Sequence, residues 1–103
     1  QVPVFTPLSK FPEVRRDLAI LIGRDIEAQA LLNTVEAAAG EALVNLKLFD
    51  IYEGKGIDAE RKSVGIGLTF RHSSRTLNED EVNSAVNAVV AALQSSYGAN
   101  LRN

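Results

Sequence analysis

The chain has 103 residues, of which 46% are hydrophobic, and this is enough to build the core of one domain without disulfides. It contains no cysteine, which excludes disulfide frameworks, thiolate nucleophiles and cysteine-ligated zinc or iron–sulfur sites. The formal net charge of -2 argues against a protein that coats nucleic acid through phosphate contacts, since such domains carry a basic excess. A small, specific contact with a nucleic acid is compatible with this charge.

The apolar runs are far shorter than the roughly 20 residues that a membrane helix needs, and the N-terminus lacks the pattern of a signal peptide. We therefore expect a soluble protein, and the absence of cysteine fits a reducing, cytoplasmic setting. The first residue is Gln1 rather than methionine, which suggests a segment of a longer protein. All three prolines lie in residues 1–12, which predicts an extended lead-in followed by one domain over residues 13–103.

The first strand is predicted to begin at Val14, because bulky apolar residues recur at every second position from there until Gly23 breaks the pattern. Arg15, Asp17, Ala19 and Leu21 share the other face of this strand. Apolar residues then recur at helical spacing up to Gly40, and Asp25 is positioned to cap this first helix.

The run LVNLKLFDIYE, from Leu43 to about Glu53, predicts a second strand whose apolar parity changes near its middle. A bulge near Leu48 or Phe49 would turn Asp50 and Tyr52 outward. It would also keep five apolar side chains inside, those of Val44, Leu46, Leu48, Phe49 and Ile51.

A polar hairpin loop, GKGIDAERK, leads to a third strand with one bulky and one nearly bare face. The bare face consists of Ser63, Gly65, Gly67 and Thr69. A second helix is predicted from about Asn78 to Ser96, and Thr76 with Glu79 matches the spacing of a capping box. A short last strand, ANLR, ends the pattern.

The resulting order βαββαβ predicts an α+β fold, a ferredoxin-like two-layer sandwich. Its four-stranded antiparallel sheet would have the order 4-1-3-2, with both helices on one face. We call the other side of the sheet the open face. By parity it carries Asp17, Ala19, Leu21, Asp50, Tyr52, Ser63, Gly65, Gly67, Thr69, Asn100 and Arg102.

A flat nucleobase could lie on this face, with Tyr52 to stack on it and Asp50 to accept hydrogen bonds from a guanine-type edge. Alternatively, the glycines only let the sheet twist, and Asp50 and Tyr52 are ordinary surface residues. A ferredoxin-like ligand-sensing or dimerisation module would also use such a face. An RNA-recognition motif fits less well, because KSVGIGLTF lacks the stacking aromatics of that motif's third strand.

The stretch RHSSR supplies no catalytic or metal site, because His72 has no second histidine or cysteine as a partner and no base–orienter set beside it. The arginines around it leave two alternatives. They form a basic rim for phosphates, or they pair at the surface with Asp17, Asp80 or Glu81. The arginines concerned are Arg15, Arg16, Arg71 and Arg75.

Four stretches agree in order and spacing with one known family: SKFPEVRRDLA (9–19), LFDIYEGKG (48–56), KSVGIGLTF (62–70) and SRTLNEDEV (74–82). In these stretches and in its βαββαβ frame, the chain resembles the C-terminal ferredoxin-fold anticodon-binding domain of the bacterial phenylalanyl-tRNA synthetase β subunit. The resemblance implies a non-catalytic domain that binds the anticodon stem-loop of tRNA(Phe). It implies RNA contacts at Ala19, Asp50, Tyr52, Ser63 and Arg102.

The resemblance also implies a parent enzyme, a class II phenylalanine–tRNA ligase with an α2β2 assembly. In that family the α subunit holds the site for phenylalanine, ATP and magnesium. ATP and magnesium are therefore expected in the parent enzyme, with no cofactor and no metal in this domain. The remainder of the β chain would connect the domain to the α subunit.

Overall fold

The computed structural model describes residues 11–102, which form a four-stranded antiparallel sheet and two helices. In chain order the elements are β1 (Val14–Gly23), α1 (Ala28–Ala39), β2 (Leu43–Tyr52), β3 (Arg61–Phe70), α2 (Glu79–Tyr97) and β4 (Asn100–Leu101). The strand order is β2-β3-β1-β4, which is the predicted order 4-1-3-2 read from the other edge. The predicted ferredoxin-like α+β sandwich is confirmed. Of the predicted lead-in, residues 1–10 lie outside the described residues, as does residue 103.

The core lies between the helices and one face of the sheet. The four even-numbered residues of β3 from Val64 to Phe70 are at most 1% exposed and form its floor. Ile20 and Ile22 of β1 extend this floor, and the helices cover it with Leu31, Val35, Ala39, Val82, Val89 and Leu93. Neither helix is long and apolar enough to cross a membrane, within residues 11–102. Both apolar helix faces are thus used in the core, and the open face has no helix on it.

The start of α1 differs from the prediction. Asp25 does not cap the helix, which begins at Ala28 after Glu27, and the Glu27 side chain makes no capping hydrogen bond. Asp25 lies instead in a turn in which the N–H of Ile26 donates to the carbonyl oxygen of Gly23 over 3.1 Å. Ile26 packs against the core, so its contact with the core, rather than a side-chain cap, positions the start of α1.

The start of α2 also differs, because the predicted capping box of Thr76 and Glu79 is wrong by two residues. Asn78 is the N-cap: its side chain accepts from the N–H of Glu81 over 2.8 Å, and the Glu81 carboxylate accepts from the N–H of Asn78 over 3.1 Å. Leu77, directly before the cap, is 8% exposed and belongs to the core. Its burial fixes where the chain enters the helix, which gives Asn78 the capping position.

The bulge predicted near Leu48 or Phe49 is present in β2. Leu48 opposes Ile66 of β3, whereas Asp50 opposes Gly65, so the pairing skips Phe49. A bulge places two residues opposite one and redirects the side chain of the extra residue. Asp50 is thereby brought to the open face, as predicted.

The prediction that all five apolar residues of β2 lie inside is wrong. Leu46 and Leu48 pack against the core. The other three are half exposed: Val44 by 46%, Phe49 by 51% and Ile51 by 50%. β2 is an edge strand, and a second register shift between Leu43 and Asn45 leaves Val44 without a partner on β3.

We expect the Glu81 carboxylate to give the fold a measurable acid sensitivity. The side-chain hydrogen bond from Arg75, followed by the hydrogen bond from the Asn78 N–H, lowers the pKa of Glu81 from 4.5 to about 2. A group whose pKa is lowered by folding stabilises the fold above its unfolded pKa and loses that effect as pH falls through the folded pKa. The free energy of unfolding should therefore decline between pH 4.5 and about pH 2. In Glu81→Gln this part of the decline should be absent.

Urea unfolding across this pH range at low salt checks the expectation, since salt screens an ion pair at the surface. Glu79→Gln is the matched control, because it removes a carboxylate of the same helical turn that is neither in the cap nor paired with Arg75. Equal loss of acid sensitivity in both variants would contradict the role assigned to Glu81.

Candidate nucleic-acid interface

The open face consists of rows of residues that lie side by side across the sheet. The first row, here called the Tyr52 row, holds Tyr52, Ser63, Leu21 and Asn100. The second, the Asp50 row, holds Asp50, Gly65, Ala19 and Arg102. The N–H of Arg102 donates to the carbonyl oxygen of Ala19 over 2.7 Å, which continues the pairing of β4 with β1. The five residues predicted as RNA contacts thus lie in two adjacent rows.

The side chain of Arg102 contacts two of the other predicted residues, Ser63 and Tyr52. Its Nη1 donates to Oγ of Ser63 over 3.3 Å, and its guanidinium carbon lies 5.8 Å from the centre of the Tyr52 ring. The Tyr52 hydroxyl donates to the carbonyl oxygen of Lys55 over 2.7 Å, which anchors the far end of the ring. Tyr52 is 39% exposed, so part of its ring is open to a ligand. A cation near an aromatic ring at an exposed site contributes about 0.5–1 kcal/mol.

Asp50 provides a carboxylate without a local cation. It is exposed, and its side chain makes no hydrogen bond or ion pair within the described part of the chain. Between it and Arg102, the Asp50 row contains Gly65, over which one edge of the Phe49 ring lies, and Ala19. The arrangement offers an acceptor group at one edge and a donor group at the other, with an aromatic ring in the adjacent row. These are the groups that recognise a planar base by stacking and hydrogen bonding.

The short strand β4 is held in place by Arg61, which sequence reasoning did not assign to the site. Its guanidinium donates to Oδ1 of Asn100 over 3.1 Å and to the carbonyl oxygens of Leu21 and Gly98 over 2.9 and 3.0 Å. These bonds join β3, β1 and the entry to β4. Arg61 is therefore a positioning residue for Arg102. From the sequence, Arg61 is interpreted as part of a polar hairpin loop, and no local pattern predicts that it holds β4 in place.

The centre of the open face is not as bare as the alternation of residues in β3 predicts. Gly65 and Gly67 are both buried. A β-carbon at position 65 would lie 2.8 Å from Cε1 of Phe49, and one at position 67 would lie 3.1 Å from Nη2 of Arg15. Arg15 also pairs with Asp17 over 3.0 Å. Since the glycines have no side chains, longer side chains from the neighbouring strands fold across them.

The arginines of the predicted basic rim are mostly engaged in surface ion pairs. Besides Arg15, Arg71 pairs with Glu13 over 3.0 Å, and Arg75 binds both carboxylate oxygens of Glu81. The alternative of local pairing is thus correct for three of the four arginines, although Glu13 was not among the expected partners.

His72 has a local role in the turn that leaves β3. Its Nδ1 lies 3.1 Å from the backbone nitrogen of Ser74, whose N–H donates to it, and 3.1 Å from Oγ of the same residue. Within residues 11–102, no group of three histidine, aspartate or glutamate side chains is placed to hold a metal ion.

The ferredoxin-like sheet with an open, polar-edged face is the architecture expected of a ferredoxin-fold anticodon binding domain. The model of that family matches residues 9–102, and the chain belongs to it. It is 53% identical over 102 residues to the phenylalanine–tRNA ligase beta subunit of Pseudomonas syringae pv. tomato. Over 101 residues it is 44% identical to the protein of the same name from Methylococcus capsulatus.

These alignments cover nearly all of this chain and little of the relatives. They include 99% of the chain and 13% of the Pseudomonas protein, and 98% of the chain and 13% of the Methylococcus protein. The same share, 13%, applies to the phenylalanine–tRNA ligase beta subunit of Coxiella burnetii, which is 44% identical. The chain spans about an eighth of the length of the curated relatives that it matches. It corresponds to their anticodon-binding domain and not to a catalytic one.

The contact between Arg102 and Tyr52 should be visible in solution. Protons over the face of an aromatic ring are shifted upfield by its ring current, and the Arg102 guanidinium lies over the Tyr52 ring, so we expect the Arg102 side-chain signals to lie upfield in the NMR spectrum of the wild-type chain. Tyr52→Leu should return them to ordinary positions. The signals of Arg15, which pairs with Asp17, are the internal control and should not move. Unchanged Arg102 signals in Tyr52→Leu would contradict the stacked geometry.

Proposed function

We propose that this chain is the anticodon stem-loop binding module of a phenylalanine–tRNA ligase β subunit, and that it contacts tRNA(Phe) through Ala19, Asp50, Tyr52, Ser63 and Arg102. Family membership and the names of the relatives support the proposal. The observation that carries it is the convergence of an exposed aromatic ring, an unpaired carboxylate and a guanidinium on two adjacent rows of the open face. The domain itself would perform no chemistry.

In this proposal the Tyr52 ring is the stacking surface for one base. Its hydroxyl bond to Lys55 holds the ring in place before the RNA arrives, which lowers the ordering cost of binding. The Arg102 guanidinium lies beside the ring in the free chain. An incoming base would take its place, and the released guanidinium would pair with a phosphate or a base edge. Stacking on one aromatic side chain contributes about 1–3 kcal/mol, so binding by the isolated domain should be weak.

Asp50 would select guanine at the first anticodon position. A guanine edge presents N–H donors at N1 and at its exocyclic amine, which a carboxylate accepts. Adenine has a lone pair at N1 and would face the negative charge directly. Ala19 leaves room beside the carboxylate, and Ser63, whose Oγ already accepts from Arg102, retains its own hydroxyl proton to donate.

The remainder of the ligase would supply the catalysis. Phenylalanine, ATP and magnesium would be bound by the α subunit of an α2β2 enzyme in the cytoplasm, and this domain would only hold the far end of the tRNA. The acidic balance of the chain fits such a division, because most of the phosphate contacts would be made by other domains.

A dimerisation or ligand-sensing module is the alternative. Pairing of two open faces would bury two Asp50 carboxylates, each without a cation within residues 11–102, and this is costly in a dry interface. The geometry therefore favours a polar ligand over a second copy of the chain.

NMR titration of the chain with an anticodon stem-loop tests the RNA contact. With guanine at the first anticodon position, we expect perturbed backbone signals at Ala19, Asp50, Tyr52 and Ser63 and their neighbours, and unchanged signals on the outer surfaces of α1 and α2. A stem-loop with adenine at that position is the matched control and should bind more weakly. An unchanged spectrum at about millimolar RNA, the limit for weak specific contacts, would refute the proposal.

Kinetics of a whole ligase that contains this domain test the assigned role. Tyr52→Ala should raise the KM for tRNA about tenfold, as expected for loss of one stacked base, and should leave amino-acid activation without tRNA unchanged. Tyr52→Phe is the matched control: it keeps the ring and loses only the hydroxyl bond to Lys55, so its KM should rise much less than that of Tyr52→Ala. An equal loss in the tRNA-free activation assay would show that Tyr52 acts through the stability of the enzyme instead.

A further inference from the structure

Phe49 is a large aromatic side chain that the fold does not use in its core. It is 51% exposed and belongs neither to the buried cluster nor to the partly buried side chains that pack against it. The register shift between Leu48 and Asp50 turns it to the open face. One edge of its ring, formed by Cδ1, Cε1 and Cζ, lies directly over Gly65. The rest of the ring is accessible from the side on which RNA would approach.

The ring is placed beside the residues that would bind the first base. Gly65 belongs to the Asp50 row, and the Tyr52 row is its immediate neighbour. The Phe49 ring lies over Gly65, and Tyr52 opposes Ser63, two residues away on β3, a step of roughly 6.6 Å along a strand. RNA-binding sheets stack two or three successive bases on aromatic side chains arranged in this manner. In the sequence, Asp50 directly follows Phe49 and precedes Tyr52 by two residues.

We propose that Phe49 is a second stacking surface, which holds the anticodon base adjacent to the one on Tyr52. The inference rests on the proposed function and extends it from one bound base to two. Phenylalanine has no hydrogen-bonding group, so this position would fix the path of the strand without reading the identity of the second base. Gly65 is then required as a seat for the ring, because a β-carbon there would lie 2.8 Å from Cε1 of Phe49.

The test uses the chain with 13C-labelled phenylalanine and tyrosine rings and stem-loops that each lack one anticodon base. With the intact stem-loop, the ring signals of Phe49 should shift upfield, while those of the buried Phe70 should stay in place. Phe49→Leu identifies the signal by its disappearance and should weaken binding about five- to tenfold. One abasic stem-loop should abolish the Phe49 shift, and a different one, abasic at the neighbouring position, should abolish the shift of the Tyr52 ring.

A second variant keeps the phenylalanine and changes only its position. In Gly65→Ala the ring must move off the sheet, and we expect the RNA-induced shift of Phe49 to be lost while the chain still unfolds cooperatively in urea. RNA binding without a Phe49 shift, or loss of both shifts with the same abasic stem-loop, would overturn the inference and leave the proposed function intact. Absence of RNA binding by the wild-type chain would overturn both.

Discussion

The alternation of β3 between a bulky face and a face of glycine and serine is the constraint on which the rest of the structure depends. β3 lies between β1 and β2, so each of its side chains meets either the helices or the open face. Because the side-chain period of a strand is two, a slip of one residue would move Val64, Ile66, Leu68 and Phe70 out of the core. These four residues are at most 1% exposed, and the register of both neighbouring strands is fixed by burying them.

The glycines on the other face of β3 do more than let the sheet twist. They leave room for side chains that begin on the outer strands to reach the middle of the sheet, as Phe49 does over Gly65. Arg102 likewise crosses from the end of β4 to Ser63. The chemistry of the open face therefore comes from its edges. A surface of this kind can present one ring and one charge of each sign to a base, and it needs no basic excess to do so.

Sequence patterns predicted the fold because the two central strands and both helices have a clear period. The alternation of bulky apolar residues in β1 and β3 predicted which side chains face the core and which face away from it. The helical spacing of apolar residues before Gly40 predicted the first helix. The open face was also correctly predicted for Asp50 and Tyr52, since the parity change in β2 does correspond to a bulge. The face of the sheet predicted for Phe49 was wrong. A bulge leaves its extra residue outside the alternation, so parity alone does not say which face that residue joins.

The predicted start of α2 was wrong for a related physical reason. Thr76 and Asn78 are both good caps, and their spacing to Glu79 and Glu81 is identical, so local chemistry offers two equivalent boxes. The burial of Leu77 decides between them, and burial is a property of the tertiary structure. The role of Arg61 was missed in the same way, because its three partners are brought together only when β4 pairs with β1.

The interface thus depends on the last few described residues, even though β4 has only two residues in strand conformation. Ala99 is 1% exposed and anchors this segment in the core, and Arg61 ties both sides of it to the sheet. With the main chain of Arg102 bound to Ala19, only the arginine side chain would have to rearrange in the proposed binding of a base. A site whose backbone is fixed in advance loses little entropy on binding, which lets a few weak contacts discriminate between bases. The short strand and its clamp are therefore as much a part of the proposed recognition surface as the ring and the carboxylate that would touch the RNA.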